Sequence, residues 1–190
     1  MRSDILNSSR YYAPSELLKL TGINHPPVDV YEIANYLGVQ VTSDFDFDEM
    51  GLSGKISWSD DRSTAVIWIN PFDGERRQRF TLSHELGHLF CHMLPAYKDT
   101  SKDESFTDGS KHFRRDGSIS PVEREANKFS ADLLMPADML AREAKELADS
   151  HRAPSGKVAM SKSDFIELLA DKFQVSNQAM EYRLKNLRII

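Results

Sequence analysis

Two histidines and a glutamate near the middle of the chain have the spacing of a metal-dependent hydrolase site. His84 and His88 stand four residues apart, and Glu85 directly follows the first. On an α-helix, residues four apart lie on one face, one turn apart, so both imidazoles can reach one metal ion. Glu85 then points at a water in the metal's open position, where a carboxylate can act as general base. The pattern His-Glu-x-x-His therefore predicts a zinc hydrolase.

The residues around this pattern have helical periodicity. Apolar side chains recur at helical spacing and predict a buried stripe, while the histidines lie on a neighbouring face. The residues of the stripe are Leu82, Leu86, Leu89 and Met93. A helix with a core side and a histidine side is what a metal cleft needs. The alternative interpretation is a pair of surface histidines on an amphipathic helix.

A catalytic zinc ion takes three protein ligands and a water, so a third ligand must come from elsewhere in the chain. His92 lies about 12 Å from His84 along the helix axis, too far for both to bind one ion. Cys91 is one turn from His88, but a lone cysteine beside an apolar stripe is more often a small core residue. The metzincin pattern would need glycine at 91 and histidine at 94, where the chain has Cys91 and Leu94, so that class is excluded.

A second helix is predicted over residues 120–136, with Ser120 as its N-cap and Pro121 in its first position. Glu123 and Glu125 lie about 160° apart around its axis, so only one of them can face the metal. Ser120 and Glu123 also match a capping box, in which the carboxylate binds the Ser120 amide instead. Helical geometry alone leaves ligand and cap as equal interpretations of Glu123.

The elements that must position these residues predict an α+β fold. Two short helices with apolar faces come first, then strand-like segments at 39–41, 55–58 and 64–70, then the His-Glu helix. We expect a mostly helical single domain with a small antiparallel sheet of about three strands before that helix. If the strand at 65–69 lies at the sheet edge, an extended substrate could pair with it. The polar stretch 95–120 predicts a mobile loop, in the position of a lid.

Composition narrows the functional classes. The chain has 190 residues and a formal net charge of -5, which gives no basic field for nucleic acid. The N-terminal stretch lacks the apolar region of a targeting peptide, and no run of residues approaches a membrane span. The single cysteine fits a reducing compartment. These features predict a soluble cytoplasmic protein without a membrane partner.

Two motifs together resemble those of the ImmA/IrrE metallopeptidases. The first is the run RQRFTLSHELGH at 77–88, and the second is Glu123-x-x-Ala126-Asn127-x-Phe129-x-Ala131-x-Leu133-Leu134-Met135-Pro136. The resemblance extends from about Pro27 to the C-terminal region. The chain departs from the family at Ser83 and Ser130, where alanine is common.

The resemblance implies a gluzincin-like site in a zincin-like domain over residues 1–150. In that site, one zinc ion per chain is bound by His84, His88 and Glu123, which selects Glu123 over Glu125. Glu85 is then the catalytic residue, and Asn127 orients a ligand from the second helix. Manganese or iron could also occupy such a donor set. His112 and Tyr182 are chemically suitable as a second oxyanion donor, but neither is assigned.

The resemblance further implies a protein substrate, a helix-turn-helix transcriptional repressor, and an anti-repressor role in phage, mobile-element or stress regulation. The alternative is a DNA-binding or protein-binding regulatory module formed by the C-terminal helix pair of residues 151–190, packed on or appended to the same domain. Helix, turn and helix at 165–187, with Ser176 as an N-cap, would suit DNA. From residue 170 onward, however, basic residues exceed acidic ones by only two (four against two). Such an excess supplies few phosphate contacts, so direct nucleic-acid binding is not expected.

Overall fold

The computed structural model describes residues 11–45, 51–96, 106–109, 120–151 and 160–190. The longer helices in this part are α1 (Pro14–Thr21), α2 (Val30–Leu37), α3 (Glu75–His88), α4 (Pro121–Leu134), α5 (Ala137–Ser150), α6 (Lys162–Phe173) and α7 (Asn177–Asn186). A π-helical turn (Leu89–Met93) and a short helix (Leu94–Ala96) follow α3 directly. The strands are β1 (Gln40–Thr42), β2 (Leu52–Trp58), β3 (Ala65–Ile69) and β4 (Phe106–Gly109). The α+β class is confirmed. No helix among these residues is long and apolar enough to span a membrane.

Capping residues set the ends of the helices. Gly22 and Gly38 end α1 and α2 in the left-handed conformation, with φ of 74° and 76°, which glycine adopts without steric cost. Ser120 caps α4 by accepting a hydrogen bond from the Glu123 amide, and Pro121 fills the first helical position. The register of α4, and hence the direction of its acidic side chains, is fixed by this cap.

The four strands form one mixed sheet in the order β1-β3-β2-β4. The neighbours β2 and β3 pair antiparallel, with Ile56 opposite Ile67, and β4 pairs antiparallel with β2. The expected antiparallel arrangement is wrong for β1, which runs parallel to β3 with Val41 opposite Ile67. The chain reverses direction after β1 and again after β2, so the first and third strands point the same way.

Two further expectations need correction. Strand β3 has neighbours on both sides, so it is not an edge strand and cannot pair with a substrate. The stretch 95–120 is not all loop, because Phe106–Gly109 forms β4 at the edge of the sheet. Phe106 and Thr107 favour a strand but Asp108 and Gly109 do not, and main-chain pairing with β2 holds the segment there. The rest of that stretch between 97 and 119 lies outside the described residues.

Helix α3 runs through the centre of the molecule. Every residue from 81 to 90 is buried, which includes Leu82, Leu86 and Leu89 of the predicted stripe, and Met93, its fourth residue, is buried as well. The same buried segment carries His84, Glu85 and His88. Ionisable side chains are seldom buried without partners or function, so their place in the core marks this helix as the functional element.

The C-terminal helices contact both central helices. Arg76 in the first turn of α3 donates to the Val175 carbonyl, at 3.0 Å. Arg183 of α7 donates to the Met135 carbonyl just after α4, at 2.9 Å, and pairs with Asp132 at 2.8 Å. The helix pair is therefore packed against the helices that carry the candidate site.

Candidate metal centre

Helices α3 and α4 bring three of the predicted site residues together. The Nε2 atoms of His84 and His88 lie 3.0 Å apart. The Glu123 carboxylate lies 3.1 Å from His84 Nε2 through one oxygen and 3.4 Å from His88 Nε2 through the other. The three residues are buried, and one ligand atom from each lies within 4.8 Å of the others.

This donor set fits a metal ion. Four ligands at about 2.0–2.1 Å in a tetrahedron stand roughly 3.3 Å from one another, close to the separations of these atoms. Two imidazole nitrogens and a carboxylate oxygen suit zinc, and they also suit manganese or iron. The three residues therefore converge on a point where one divalent ion could be bound.

A glycine between the two histidines allows the helices to approach. A methyl group at Gly87 would lie 3.0 Å from both Cα and the carbonyl oxygen of Ala126, and 3.2 Å from Cβ of Phe129. One turn earlier, the hydroxyls of Ser83 and Ser130 are in direct contact across the same interface. Small side chains on both helices thus set the spacing that places Glu123 opposite the histidines.

The site favours the ionisation states that bind metal. Burial alone would raise the pKa of Glu123, but hydrogen bonds from His84 and His88 outweigh it and hold that pKa well below its usual range. Burial also lowers the pKa of His88. An ionised carboxylate and a neutral imidazole are the forms that coordinate a divalent ion. The backbone amide of Glu123 donates to the Ser120 hydroxyl of the helix cap, while the Glu123 carboxylate lies against the histidines.

Asn127 and Phe80 fix the ring of His84. His84 Nδ1 lies 3.1 Å from Asn127 Oδ1. When a metal takes the place of the proton on Nε2, the ring proton would lie on Nδ1 and be donated to this oxygen. The Phe80 ring stacks on the imidazole with a centroid distance of 5.8 Å. Asn127 thus stands where a residue that orients a ligand is expected.

Cys91 and His92 do not belong to the group of residues that could share a metal. The helix continues after His88 as a π-helical turn (Leu89–Met93), which carries Cys91 and His92. With its proton on Nε2, His92 donates to the Val122 carbonyl at 3.2 Å. Burial raises the pKa of the Cys91 thiol to about 11, which keeps it protonated and a poor ligand. Nothing in the local pattern predicted the π-helical turn, although such turns are frequent near functional sites.

Four further candidate residues lie elsewhere. The side chain of Glu125 is 64% exposed, and its carboxylate lies 3.9 Å from His92 Nδ1. Tyr182 is 68% exposed on α7. His112 lies outside the described residues. Glu85 is fully buried in α3, on the side that faces β2.

Sequence reasoning missed the small residues that shape the site, Gly54 and Gly87. A glycine inside a helix costs about 1 kcal/mol relative to alanine, which is itself an indication of a packing or functional reason. That indication was present at Gly87. Gly54 lies in a strand, where an interior glycine suggests a bulge or a close approach.

Comparison with known proteins gives a family and a fold. The family model Peptidase_M78, described as the IrrE N-terminal-like domain, matches residues 34–185. Among solved structures, a transcriptional regulator from Mycobacterium tuberculosis is similar, with a TM-score of 0.54 and 15% identity. The similarity covers 96% of this chain and 50% of that protein, so this chain spans half its length. No curated protein matches the chain.

Proposed function

Because this chain belongs to the Peptidase_M78 family of IrrE N-terminal-like domains, we propose that it is a zinc-dependent endopeptidase that cleaves a helix-turn-helix transcriptional repressor in the cytoplasm. The family match confirms the resemblance seen in the sequence. The observation that carries the proposal is the buried triad of His84, His88 and Glu123 with Glu85 beside it. All four residues fall inside the matched segment.

Each residue of the site has a role in peptide hydrolysis. His84, His88 and Glu123 would hold the ion, and Asn127 would keep the His84 ring in its binding orientation. A bound zinc ion would polarise the scissile carbonyl and lower the pKa of its water toward neutrality. Glu85 would take the proton from the attacking water and pass it to the leaving amine.

The substrate class follows from the family and from the resemblance in sequence. Cleavage of a repressor would relieve repression, which is an anti-repressor role. The structural neighbour carries the name of a transcriptional regulator, and our proposal links this chain to transcription through proteolysis.

The charges of the C-terminal helix pair weigh against the DNA-binding alternative. Lys172 pairs with Glu143 of α5, and Arg183 is buried against Asp132. Lys185 pairs with Glu181 of its own helix, at 2.9 Å. Three of the four basic residues after position 170 therefore already have a carboxylate partner within the chain. Such a surface offers few contacts to phosphates.

The proposal is tested by finding what the protein cuts in cells. New protein N-termini would be labelled and identified in cells that express the wild type or the Glu85→Gln variant. We expect a new N-terminus inside a helix-turn-helix repressor with the wild type, and none with the variant. Identical sets of N-termini in the two cultures would contradict the proposal, and cleavage confined to another class of protein would remove the repressor as substrate.

A further inference from the structure

A bulge in β2 fastens this strand to α3 at two adjacent residues. The register of β2 against β4 shifts between Leu52 and Gly54, so Ser53 is the extra residue. In a regular strand, neighbouring residues point to opposite faces, and a bulge redirects them. Here Ser53 Oγ accepts hydrogen bonds from Arg77 of α3, at 3.0 and 3.2 Å, and Gly54 also faces α3. The strand is thus held against the helix at the bulge residue and at the residue after it.

Gly54 leaves no room for a side chain. A methyl group there would lie 2.3 Å from Cγ2 of Thr81, 3.0 Å from the Trp68 carbonyl oxygen and 3.6 Å from Oε1 of Glu85. Thr81 and Glu85 are fully buried, one helical turn apart on the same face. The strand backbone and the Thr81 side chain therefore form a wall beside the Glu85 carboxylate.

We propose that Gly54 and Thr81 are positioning residues that hold the Glu85 carboxylate beside the metal triad. The inference rests on the proposed role of Glu85 as general base. A glutamate side chain has three rotatable bonds, and a general base acts only within hydrogen-bond reach of its proton. Because Gly54 has no side chain, the Thr81 methyl fills the space between strand and helix. The carboxylate is then confined on the side that faces β2.

The test adds a methyl group on the strand, removes one from the helix, or does both. Crystals of the full zinc-loaded chain would be compared for wild type, Gly54→Ala, Thr81→Ser and the double variant. In Gly54→Ala, the Thr81 methyl must retreat by roughly 1.5 Å to restore ordinary carbon contact, and we expect Glu85 to shift with it. In the double variant the alanine methyl occupies the space that serine vacates, and only the Trp68 carbonyl oxygen, at 3.0 Å, must still give by a few tenths of an ångström. Glu85 should therefore return close to its wild-type position.

Turnover and metal content are measured on the same four proteins, with unfolded β-casein as the probe. Displacement of a catalytic group by about 1 Å can cost about 10²-fold in rate, so kcat of Gly54→Ala should fall by that factor with KM little changed. All four proteins should hold one zinc, because the three atoms nearest to a Gly54 methyl belong to no metal ligand. The double variant should recover most of the lost kcat.

If Gly54 and Thr81 serve only to pack the strand against the helix, the variants should give different results. If Gly54→Ala leaves Glu85 in place and only displaces β2 and lowers the melting temperature, the proposal is wrong. It is also wrong if Thr81→Ser fails to rescue Gly54→Ala. If Gly54→Ala does not fold, Thr81→Val and Thr81→Ala test the proposal instead. Valine keeps a methyl group against the strand and should preserve the position of Glu85 and kcat, whereas alanine removes it and both should be lost. If the two variants have the same Glu85 position and the same kcat, the proposal is wrong.

The two proposals can fail separately. A wild type that leaves β-casein intact counts against general peptidase activity. The position of Glu85 in the crystal structures still decides whether Gly54 and Thr81 hold it.

Discussion

Replacing Gly87 by alanine tests whether the spacing of two helices sets the metal centre. The added methyl meets two backbone atoms of Ala126 at 3.0 Å and Cβ of Phe129 at 3.2 Å. None of these atoms can rotate away, so α3 and α4 must separate by roughly 0.5 Å to restore ordinary contact. Overpacking of this kind costs about 1–3 kcal/mol, and alanine returns about 1 kcal/mol of helix propensity. We expect a net loss of about 0–2 kcal/mol in the free energy of unfolding.

The larger effect should be on zinc affinity. Ala126 lies one turn after Glu123, so a retreat of α4 carries the carboxylate away from His84 and His88. Metal–ligand distances tolerate only about 0.2 Å, which is less than the required separation. We therefore expect zinc affinity to fall by about 10- to 100-fold, the range found when residues that support a metal site are changed.

Competition against a chromophoric chelator measures this affinity, and thermal unfolding of the metal-free chain measures stability. Ser83→Ala is the matched control, one turn earlier on the same face, because it removes the hydroxyl that contacts Ser130 and adds no atom. It should lose about 1 kcal/mol of stability and keep the wild-type zinc affinity. If Gly87→Ala binds zinc as tightly as the wild type, the spacing of the helices does not determine the site.

Three other outcomes follow from the same structure. Glu123→Ala should abolish the binding of one zinc per chain in metal analysis, whereas Glu125→Ala should keep it, because the Glu125 side chain is 64% exposed. Equal zinc content in the two variants would mean that Glu123 is not a ligand. Asn127→Ala should weaken zinc binding by about 10- to 100-fold in the chelator assay, and an unchanged affinity would mean that the His84 ring needs no such partner. Fluorescence anisotropy of the intact protein should show only weak DNA binding that fades steeply with salt, and tight binding to one sequence would favour the alternative function.

The residues of α3 could be predicted because their pattern is local. Spacing of three and four residues places His84 and His88 on one face and Leu82 and Leu86 on another, whatever the rest of the chain does. The choice between ligand and cap at Glu123 could not be made this way, because it depends on how α3 and α4 cross. The family resemblance selected the ligand, and the structure places the carboxylate against the histidines.

The errors concern contacts between distant segments. The parallel pairing of β1, the strand β4 and the bulge at Ser53 all depend on main-chain pairing between segments, and side-chain patterns predict such pairing poorly. The division into residues 1–150 and 151–190 stays a prediction. The contacts of Arg76 and Arg183 tie the C-terminal helices to α3 and α4.

Replacement of Glu85 by glutamine is the most direct test of the proposed chemistry. Glutamine has nearly the same shape and can hydrogen-bond to a water, but it cannot take up a proton near neutral pH. Zinc content and cleavage of the repressor identified in cells would be measured together on purified wild type, Glu85→Gln and His84→Ala. We expect Glu85→Gln to keep one zinc and to lose at least about 10²- to 10⁴-fold in rate, and His84→Ala to lose zinc and cleavage together. Cleavage by Glu85→Gln at the wild-type rate with zinc bound would contradict the mechanism.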